Sequence, residues 1–265
     1  MSSERRLTVV GAGPAGLAAA AEVGDGNEVT VMDRLPAPGG TLGYEHPLIR
    51  ELVGRCEQHG VRLDLGTTAV RWRGDALLGA GPHGVAWRPA DHLLYAGGER
   101  PATLAELPVA GSRVAGVLPG TVALHLLEAK VVLGWRPVVV GDGWLARALV
   151  RELAHQGARI TWLVDAEPVD AEPVAELLVG WTPVSLDGRT RVATMVATRG
   201  AERTRLTCDA VILTGDPRPL RNVDGAVLDP SPGVTFVQAG VGELGARSVI
   251  EAARRTAQDL REEWS

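Results

Sequence analysis

Short apolar runs alternate with glycine-rich turns and helical patterns along most of the chain. The first run, Leu7–Val10, is followed by a glycine turn, an alanine-rich segment and a second run, Val29–Met32, that leads to Asp33. Short runs without polar alternation are typical of strands buried on both faces of a parallel sheet. The pattern therefore predicts a strand–helix–strand unit over Arg6–Asp33.

The same pattern returns in the second half of the chain. The copy consists of a strand, a glycine turn, a helix, a second strand and an acid, at Pro137–Val140, Gly141-Asp142-Gly143, Trp144–Gln156, Ile160–Val164 and Asp165. An internal repeat of one supersecondary unit is far more specific than either copy alone. We therefore predict an α/β fold with two Rossmann-like units.

The remaining elements follow from the same patterns. We predict helices over Leu48–His59, Val122–Leu133 and Ala246–Glu262, strands over Val61–Leu65, His92–Ala96, Ala210–Leu213 and Val234–Ala239, and antiparallel β-structure within Thr67–Pro89 and Thr190–Thr207. The closing strand and helix have no place in the second unit, so we expect them to return to the first sheet. On this view residues 1–120 and 220–265 form one domain, and residues 121–219 are inserted into it.

Composition narrows the class of protein. With 265 residues, 45% of them apolar, the chain can bury a substantial core. A net charge of −5 leaves no basic footprint, so we expect no nucleic-acid partner. The apolar runs are too short to span a membrane, and no apolar signal core precedes the first strand, so we expect a cytoplasmic protein. The two cysteines, Cys56 and Cys208, form no CxxC pair, and the histidines are scattered, so no metal site is predicted.

The glycines of the first turn point to dinucleotide chemistry. Gly11 permits a tight turn off the strand, and Gly13 lets a pyrophosphate approach the backbone. Gly16 allows the helix to pack closely on the sheet. The helix N-terminus offers free N–H groups to phosphates, and Asp33 can accept hydrogen bonds from an adenosine ribose.

Four segments match the motifs of one known group. Gly11–Leu17 looks like an FAD fingerprint, and Pro38–Gly40 like the loop beside the FAD phosphates. Asp91–Pro101 looks like a strand that ends in Ala-Thr-Gly, with Gly97 in place of Thr. Gly141–Ala146 is similar to a nicotinamide-side GxGxxA turn. The chain thus resembles the two-domain flavoprotein oxidoreductases of the pyridine nucleotide–disulfide reductase type.

A linker narrows the resemblance. Val117–Thr121 through Trp135–Pro137 is similar to the FAD-type subunits of hydrogen cyanide synthase, opine oxidase and dye-linked proline dehydrogenase. This resemblance implies an FAD-dependent oxidoreductase that acts on a small amino-acid or imino-acid substrate in a hetero-oligomer. A second oxidoreductase subunit would be its partner.

The resemblance also implies a set of site residues. Those for FAD are Gly11, Gly13, Pro14, Ala15, Gly16, Asp33, Arg34, Gly39, Gly40, Thr41, Val70, Ala96, Gly97, Gly98, Gly240 and Val241. Those for NAD(H) in the inserted domain are Gly141, Gly143 and Asp165. No catalytic residue and no metal ligand is singled out.

Three features depart from the family pattern. No CxxC is present, so disulfide reduction by a cysteine pair is not expected. The usual closing Ala-Gly-Asp reads Ala239-Gly240-Val241, with Glu243 nearby. Asp142 stands in the second turn, where a carboxylate repels a pyrophosphate, although Asp165 would favour NAD(H) over NADP(H).

These departures leave two other functions open. The chain could be a non-catalytic nucleotide-binding subunit that braces a larger dehydrogenase. It could also be an NADH-dependent flavin or ferredoxin reductase, which requires a working second site.

Overall fold

A computed structural model describes residues 5–112, 114–166, 175–215, 217–220, 223, 233–237 and 246–264. The chain divides into two units. The first unit consists of Met1–Glu99 and Pro219–Ser265, and the second of Arg100–Arg218.

The helices and strands follow one another in three stretches of chain. The first stretch contains β1 (Arg6–Val10), α1 (Pro14–Val23), β2 (Glu28–Asp33), α2 (Pro47–Gln58), β3 (Arg62–Leu65), β4 (Thr68–Trp72), β5 (Ala76–Gly81), β6 (Gly84–Pro89) and β7 (His92–Tyr95). The second contains β8 (Glu99–Pro101), β9 (Ala110–Gly111), β10 (Val117–Pro119), α3 (Gly120–Glu128), β11 (Pro137–Val140), α4 (Gly143–His155), β12 (Ile160–Val164), β13 (Ala175–Val179), β14 (Thr182–Gly188), β15 (Val192–Arg199), β16 (Glu202–Thr207), β17 (Ala210–Leu213) and β18 (Pro217–Pro219). The last contains β19 (Val234–Phe236) and α5 (Ala246–Glu263).

The first unit is built on a five-stranded parallel sheet in the order β19-β7-β1-β2-β3. Read from β3, this order is that of a Rossmann half with two further strands. The chain returns to this sheet after the second unit, because β19 pairs with β7 and places Thr235 beside Leu94. The α/β fold predicted from the sequence is confirmed.

Helix α1 lies at the centre of the helical face of this sheet. It begins at Pro14, where the missing N–H costs no helical bond. Its run Ala18–Ala21 is almost entirely buried, because the small side chains let α2 and α5 pack closely on either side. Apolar residues of α5, such as Ala253 and Ala257, complete this core.

Strands β4–β6 form an antiparallel sheet, as the glycine-punctuated pattern over Thr67–Pro89 predicts. Its buried Trp72 and Leu77 belong to a second core with Leu93 and Tyr95 of β7. The parallel sheet of the first unit is therefore buried on both faces.

The second unit repeats this plan. Its parallel sheet has the order β10-β17-β11-β12-β13, and β14–β16 form an antiparallel sheet extended by β9. Strand β10 occupies the edge beside β17, the place that β19 takes beside β7 in the first unit. Because β9 and β10 pair within the second unit, residues 100–120 group with it, whereas we predicted a boundary after residue 120.

Helix α3 differs from its prediction over Val122–Leu133. It spans Gly120–Glu128, and Lys130 just beyond it has a left-handed φ of 63°. The chain thus leaves the helix early, and Leu133 turns back into the core of the second unit.

None of the helices in the described ranges combines the length and apolar character that a membrane crossing requires.

Candidate dinucleotide site

The turn between β1 and α1 is closed by two glycines. Gly11 has a φ of +110°, and a side-chain carbon there would overlap the carbonyl oxygen of Ala96. A carbon at Gly16 would overlap the carbonyl oxygen of Gly11. Both positions therefore require glycine, and α1 begins directly against the end of β1, as the spacing predicts.

Gly13 differs from these two glycines, because no described residue fills the space beside it. A side-chain carbon at Gly13 would meet no described atom within 4 Å, although its φ of −80° would accept any residue. Glycine is thus not required here by packing within the described structure. An open backbone position at the N-terminus of α1 fits the approach of a diphosphate.

The loop after β2 forms the other side of this opening. The N–H of Gly39 donates to the carbonyl oxygen of Ala12 at 2.7 Å. A carbon at Gly40, whose φ is +55°, would lie 3.3 Å from the Cα of Gly13. The glycine turn and the Pro38–Gly40 loop therefore form one cradle of backbone, and we keep that name for Gly11–Gly16 with Gly39 and Gly40.

Asp33 ends β2 and fixes the cradle. Its Oδ2 accepts a hydrogen bond from the N–H of Ala12 at 2.7 Å, and its Oδ1 accepts one from the N–H of Leu35 at 2.8 Å. Each carboxylate oxygen has a second acceptor position. The acid therefore holds both loops and can still accept hydrogen bonds from a ribose.

Val70 interrupts the ladder between β4 and β5. Ala69 pairs with Gly79 and Arg71 with Leu78, so Val70 is the extra residue of a bulge, and it is exposed. A bulge releases backbone groups from the ladder. Val70 therefore marks the point where the backbone of β4 leaves its regular pairing with β5.

The end of β7 explains why a glycine stands at position 97. A side-chain carbon at Gly97 would lie 2.7 Å from the Tyr95 ring and 2.8 Å from the carbonyl oxygen of Leu220. The hydroxyl of Tyr95 donates to that same oxygen at 2.5 Å. The ring of Tyr95 thus occupies the space that a side chain would need. Neither Tyr95 nor Leu220 was singled out from the sequence, because their contact joins segments 125 residues apart.

The remaining predicted FAD residues are placed as follows. Pro14 and Ala15 begin α1, Ala96 follows β7 and Gly98 continues that turn, while Arg34 and Thr41 are exposed beside Asp33 and Gly40. Gly240 and Val241 lie outside the described residues, as does Glu243.

The second turn has the same backbone frame. Gly141 has a φ of +111°, and a side-chain carbon there would overlap the N–H of Gly215. Trp162 of β12 donates its ring N–H to the carbonyl oxygen of Gly141 at 2.9 Å. Gly143, with a φ of +87°, begins α4.

Asp142 changes the chemistry of this turn. Its Oδ2 accepts a hydrogen bond from the N–H of Asp165 at 3.2 Å. Partial loss of solvent and the neighbouring Asp165 carboxylate raise the pKa of Asp142, while backbone donors of Asp165 and Ala166 oppose this rise. Asp142 and Asp165 are both exposed. Two negative groups therefore face solvent where the first unit has one.

Two further acids repeat a structural role. Asp91 accepts a hydrogen bond from the N–H of Arg6 at 2.9 Å, and Asp209 accepts one from the N–H of Arg136 at 2.8 Å. Asp91 thus joins the start of β7 to the start of β1, and Asp209 joins the start of β17 to the start of β11. The recurring acid–strand–glycine pattern in the sequence reflects this brace.

Side-chain chemistry is sparse in the described part of the chain. No group of three or more His, Cys, Asp or Glu residues there could hold a metal ion. Cys56 and Cys208 are buried free thiols, and burial raises the pKa of each to about 11. Their thiolate forms are therefore scarce at neutral pH.

Two parallel sheets of like strand order, each opened by a glycine turn, define the class as a two-unit protein of the dinucleotide-binding fold. Residues 2–118, a little under half of the chain, match the pyridine nucleotide-disulphide oxidoreductase family. Over this segment the match confirms the resemblance to the pyridine nucleotide–disulfide reductase type that the motifs predict.

Comparison with individual proteins adds one relative and two structures. The chain is 30% identical over 181 residues to the beta subunit of the NADP(+)-dependent formate dehydrogenase of Moorella thermoacetica, a match covering 62% of this chain and 24% of the relative. L-Proline dehydrogenase from P. horikoshii is 17% identical with a TM-score of 0.67, covering 98% of this chain and 56% of that one. Thioredoxin reductase from T. acidophilum is 16% identical with a TM-score of 0.64, covering 98% of both chains.

At these identities the structural likeness establishes the fold alone. The chain spans 24% of the length of the curated relative and 56% of the proline dehydrogenase.

Proposed function

We propose that the protein is a flavin-dependent oxidoreductase that binds FAD non-covalently in its first unit. The observation that carries this proposal is the contrast among the cradle glycines. The backbone leaves no room for a side chain at Gly11 or Gly16, whereas a side-chain carbon at Gly13 would meet no described atom within 4 Å. Packing among the described residues therefore gives no reason for a glycine at position 13.

The first unit has residues suited to the diphosphate, the ribose and the adenine of FAD. The cradle takes the diphosphate, because the first turn of α1 has no side-chain cap among the described residues and presents its N–H groups outward. Asp33 orients the ribose, and the backbone released at Val70 meets the adenine. FAD supplies the hydride chemistry, and this chain supplies binding and orientation.

The substrate class is an amino or imino acid, and the working form is a hetero-oligomer. The linker motifs in Val117–Thr121 and Trp135–Pro137 support this assignment. The curated relative is a subunit by its name, and this chain matches only part of it. These observations favour a chain that works beside a second oxidoreductase subunit.

The experiment compares the protein purified alone with the protein co-expressed with its neighbouring oxidoreductase gene product. The visible spectrum and FAD released on denaturation report flavin content, and proline or another amino acid with an acceptor dye reports turnover. We expect FAD in both preparations, with more FAD and turnover only in the complex. A protein without FAD in either preparation would refute the flavin assignment, and turnover by the isolated chain would refute the need for a partner.

A non-catalytic accessory role is the second candidate. The observation that favours it is the pair of carboxylates at the second turn, which weakens the case for a nicotinamide cofactor there. A complex whose turnover is unchanged when the FAD site of this chain is disabled would support it. Reduction of the bound flavin by NADH would instead support an NADH-dependent reductase.

A further inference from the structure

In each unit a hydrogen bond joins the glycine turn to the end of the strand that follows its helix, but donor and acceptor are exchanged between the two units. In the first unit the N–H of Ala12, within the turn, donates to the carboxylate of Asp33 at the end of β2. In the second unit the N–H of Asp165, just after β12, donates to the carboxylate of Asp142 within the turn. The acid that closes the frame therefore lies at the strand end in one unit and in the turn in the other.

Asp142 stands where a Rossmann unit binds the diphosphate and ribose of its dinucleotide. The diphosphate lies at the helix N-terminus, and the ribose lies by the acid that follows the second strand. Asp142 immediately precedes α4, yet it makes no capping bond to that helix. Its carboxylate turns instead toward Asp165, between the places of the diphosphate and the ribose.

The surroundings do not neutralise this charge. Neither Asp142 nor Asp165 forms an ion pair with a residue in the described ranges, and Arg147 on α4 is the one cation among the influences on Asp142. Partial loss of solvent and the Asp165 carboxylate raise the pKa of Asp142, so its surroundings disfavour added negative charge. A diphosphate would add two further negative charges beside it.

We propose that Asp142 is a specificity-determining residue that disfavours dinucleotides at the second unit, so that the protein binds a dinucleotide tightly only in its first unit. The residues at the second turn thus do not fit a nicotinamide dinucleotide, although the backbone frame does. Asp165 adds discrimination against NADP(H), because a 2′-phosphate would meet a second carboxylate. This inference rests on the proposed function only in treating both units as dinucleotide folds.

The test measures binding of NAD⁺ and NADP⁺ to the purified full chain by isothermal titration calorimetry. The oxidised cofactors are used so that no hydride transfer accompanies binding. Asp142→Ala gives the second turn the Gly-Ala-Gly sequence of the first. Asp142→Asn keeps an acceptor for the N–H of Asp165 and removes only the charge. Glu152→Gln removes one charge from the same helix, nine residues beyond Gly143.

We expect Asp142→Ala and Asp142→Asn to bind NAD⁺ roughly ten- to hundredfold more tightly than the parent, since one like charge is removed near the diphosphate. Glu152→Gln should match the parent, and NADP⁺ should remain weak in every variant. If Asp142→Ala unfolds, as judged by circular dichroism, Asp142→Asn decides the result.

Equal NAD⁺ affinity in the parent and in Asp142→Asn would overturn the proposal, and so would an equal gain in Glu152→Gln. FAD content is recorded for each variant and should not change. Absence of FAD from the parent would refute the flavin assignment without bearing on the NAD⁺ titrations, so the two failures are distinguishable.

Discussion

The backbone N–H of Ala12 donates a 2.7 Å hydrogen bond to the carboxylate of Asp33, 21 residues further along the chain. The same carboxylate also receives the N–H of Leu35. One acid thus sets the spacing of the two loops between which the adenosine half of FAD is proposed to bind.

Removing this acid should weaken both the fold and the cofactor site. Asp33→Ala loses two hydrogen bonds to a charged group, each worth about 1.5–3 kcal/mol, together with the proposed ribose contact. We expect FAD affinity to fall by at least roughly tenfold in fluorescence titrations. The exposed Asp25→Asn should behave as the parent. An Asp33→Ala protein with parental FAD affinity would show that the ribose does not contact this residue.

Substitutions at different glycines should affect the free energy of unfolding and FAD affinity separately. Gly16→Ala should lower the free energy of unfolding by about 1–3 kcal/mol, because a side-chain carbon overlaps the carbonyl oxygen of Gly11. The added carbon of Gly54→Ala in α2 would meet no described atom within 4 Å, so this variant should be neutral or stabilising by up to about 1 kcal/mol. Urea denaturation measures both changes.

Gly13→Val should have the opposite profile to Gly16→Ala. The backbone at Gly13 accepts a side chain, so stability should be close to that of the parent, whereas the valine would fill the space proposed for the diphosphate. A steric cost of about 1–3 kcal/mol corresponds to a loss of roughly ten- to hundredfold in FAD affinity. A Gly13→Val protein that retains stoichiometric FAD would place the flavin elsewhere.

The cysteines should be inert. Because burial raises the pKa of Cys56 and Cys208 to about 11, roughly one thiol in ten thousand is ionised at pH 7. We expect no rapid reaction of the native protein with a thiol reagent, and unchanged turnover of the complex in the Cys56→Ala, Cys208→Ala double variant. Loss of turnover in a folded double variant would indicate a thiol-dependent step.

Stability should depend on His92 in mildly acidic solution. Burial, followed by the nearby Arg5 charge, lowers the pKa of His92 from 6.5 to about 4. The unfolded chain therefore binds a proton that the native state does not. The contribution of neutral His92 to stability is complete above about pH 6.5. As the pH falls from 6.5 toward 4, the free energy of unfolding decreases by about 2–3 kcal/mol.

The control for this prediction is His92→Gln, whose side chain does not take up a proton in this pH range. Between pH 7 and pH 4.5 the parent should lose more stability than His92→Gln in urea melts at a series of pH values. Parallel stability curves for the two proteins would show that His92 is protonated in the native state.

The sequence identified the strand–turn–helix units well because their signals are local. Gly16 is dictated by a contact with Gly11 in its own turn, and the left-handed φ of Gly11 and Gly141 is a local property of each turn, although their close neighbours Ala96 and Gly215 come from later in the chain. The short apolar strands that flank such turns are easily recognised. Strand β10 was not predicted, since its residues Val117–Pro119 become a strand only by pairing with β17, more than 90 residues later. Strands β13 and β14 were likewise missed, because proline, glycine and mixed polarity in that stretch obscure the alternation.

The site was predictable only as far as backbone chemistry reaches. The cradle and Asp33 follow from a motif. The exclusion of a side chain at Gly97 does not, because it depends on where the Tyr95 ring packs against Leu220. The orientation of Asp142 also depends on a tertiary contact, so the sequence indicated a charge in the turn without its partner.

The insertion of the second unit into the first affects the order in which the two units can fold during synthesis. The second unit is one continuous stretch, Arg100–Arg218, and can form its sheets as soon as it leaves the ribosome. The first unit lacks β19 and α5 until residues 234–263 emerge, although α5 supplies Ala253, Ala257 and Leu260 to the core around α1. Residues 1–99 of the first unit are synthesised first. Part of the apolar surface of α1 therefore stays exposed until α5 is synthesised and packs against it.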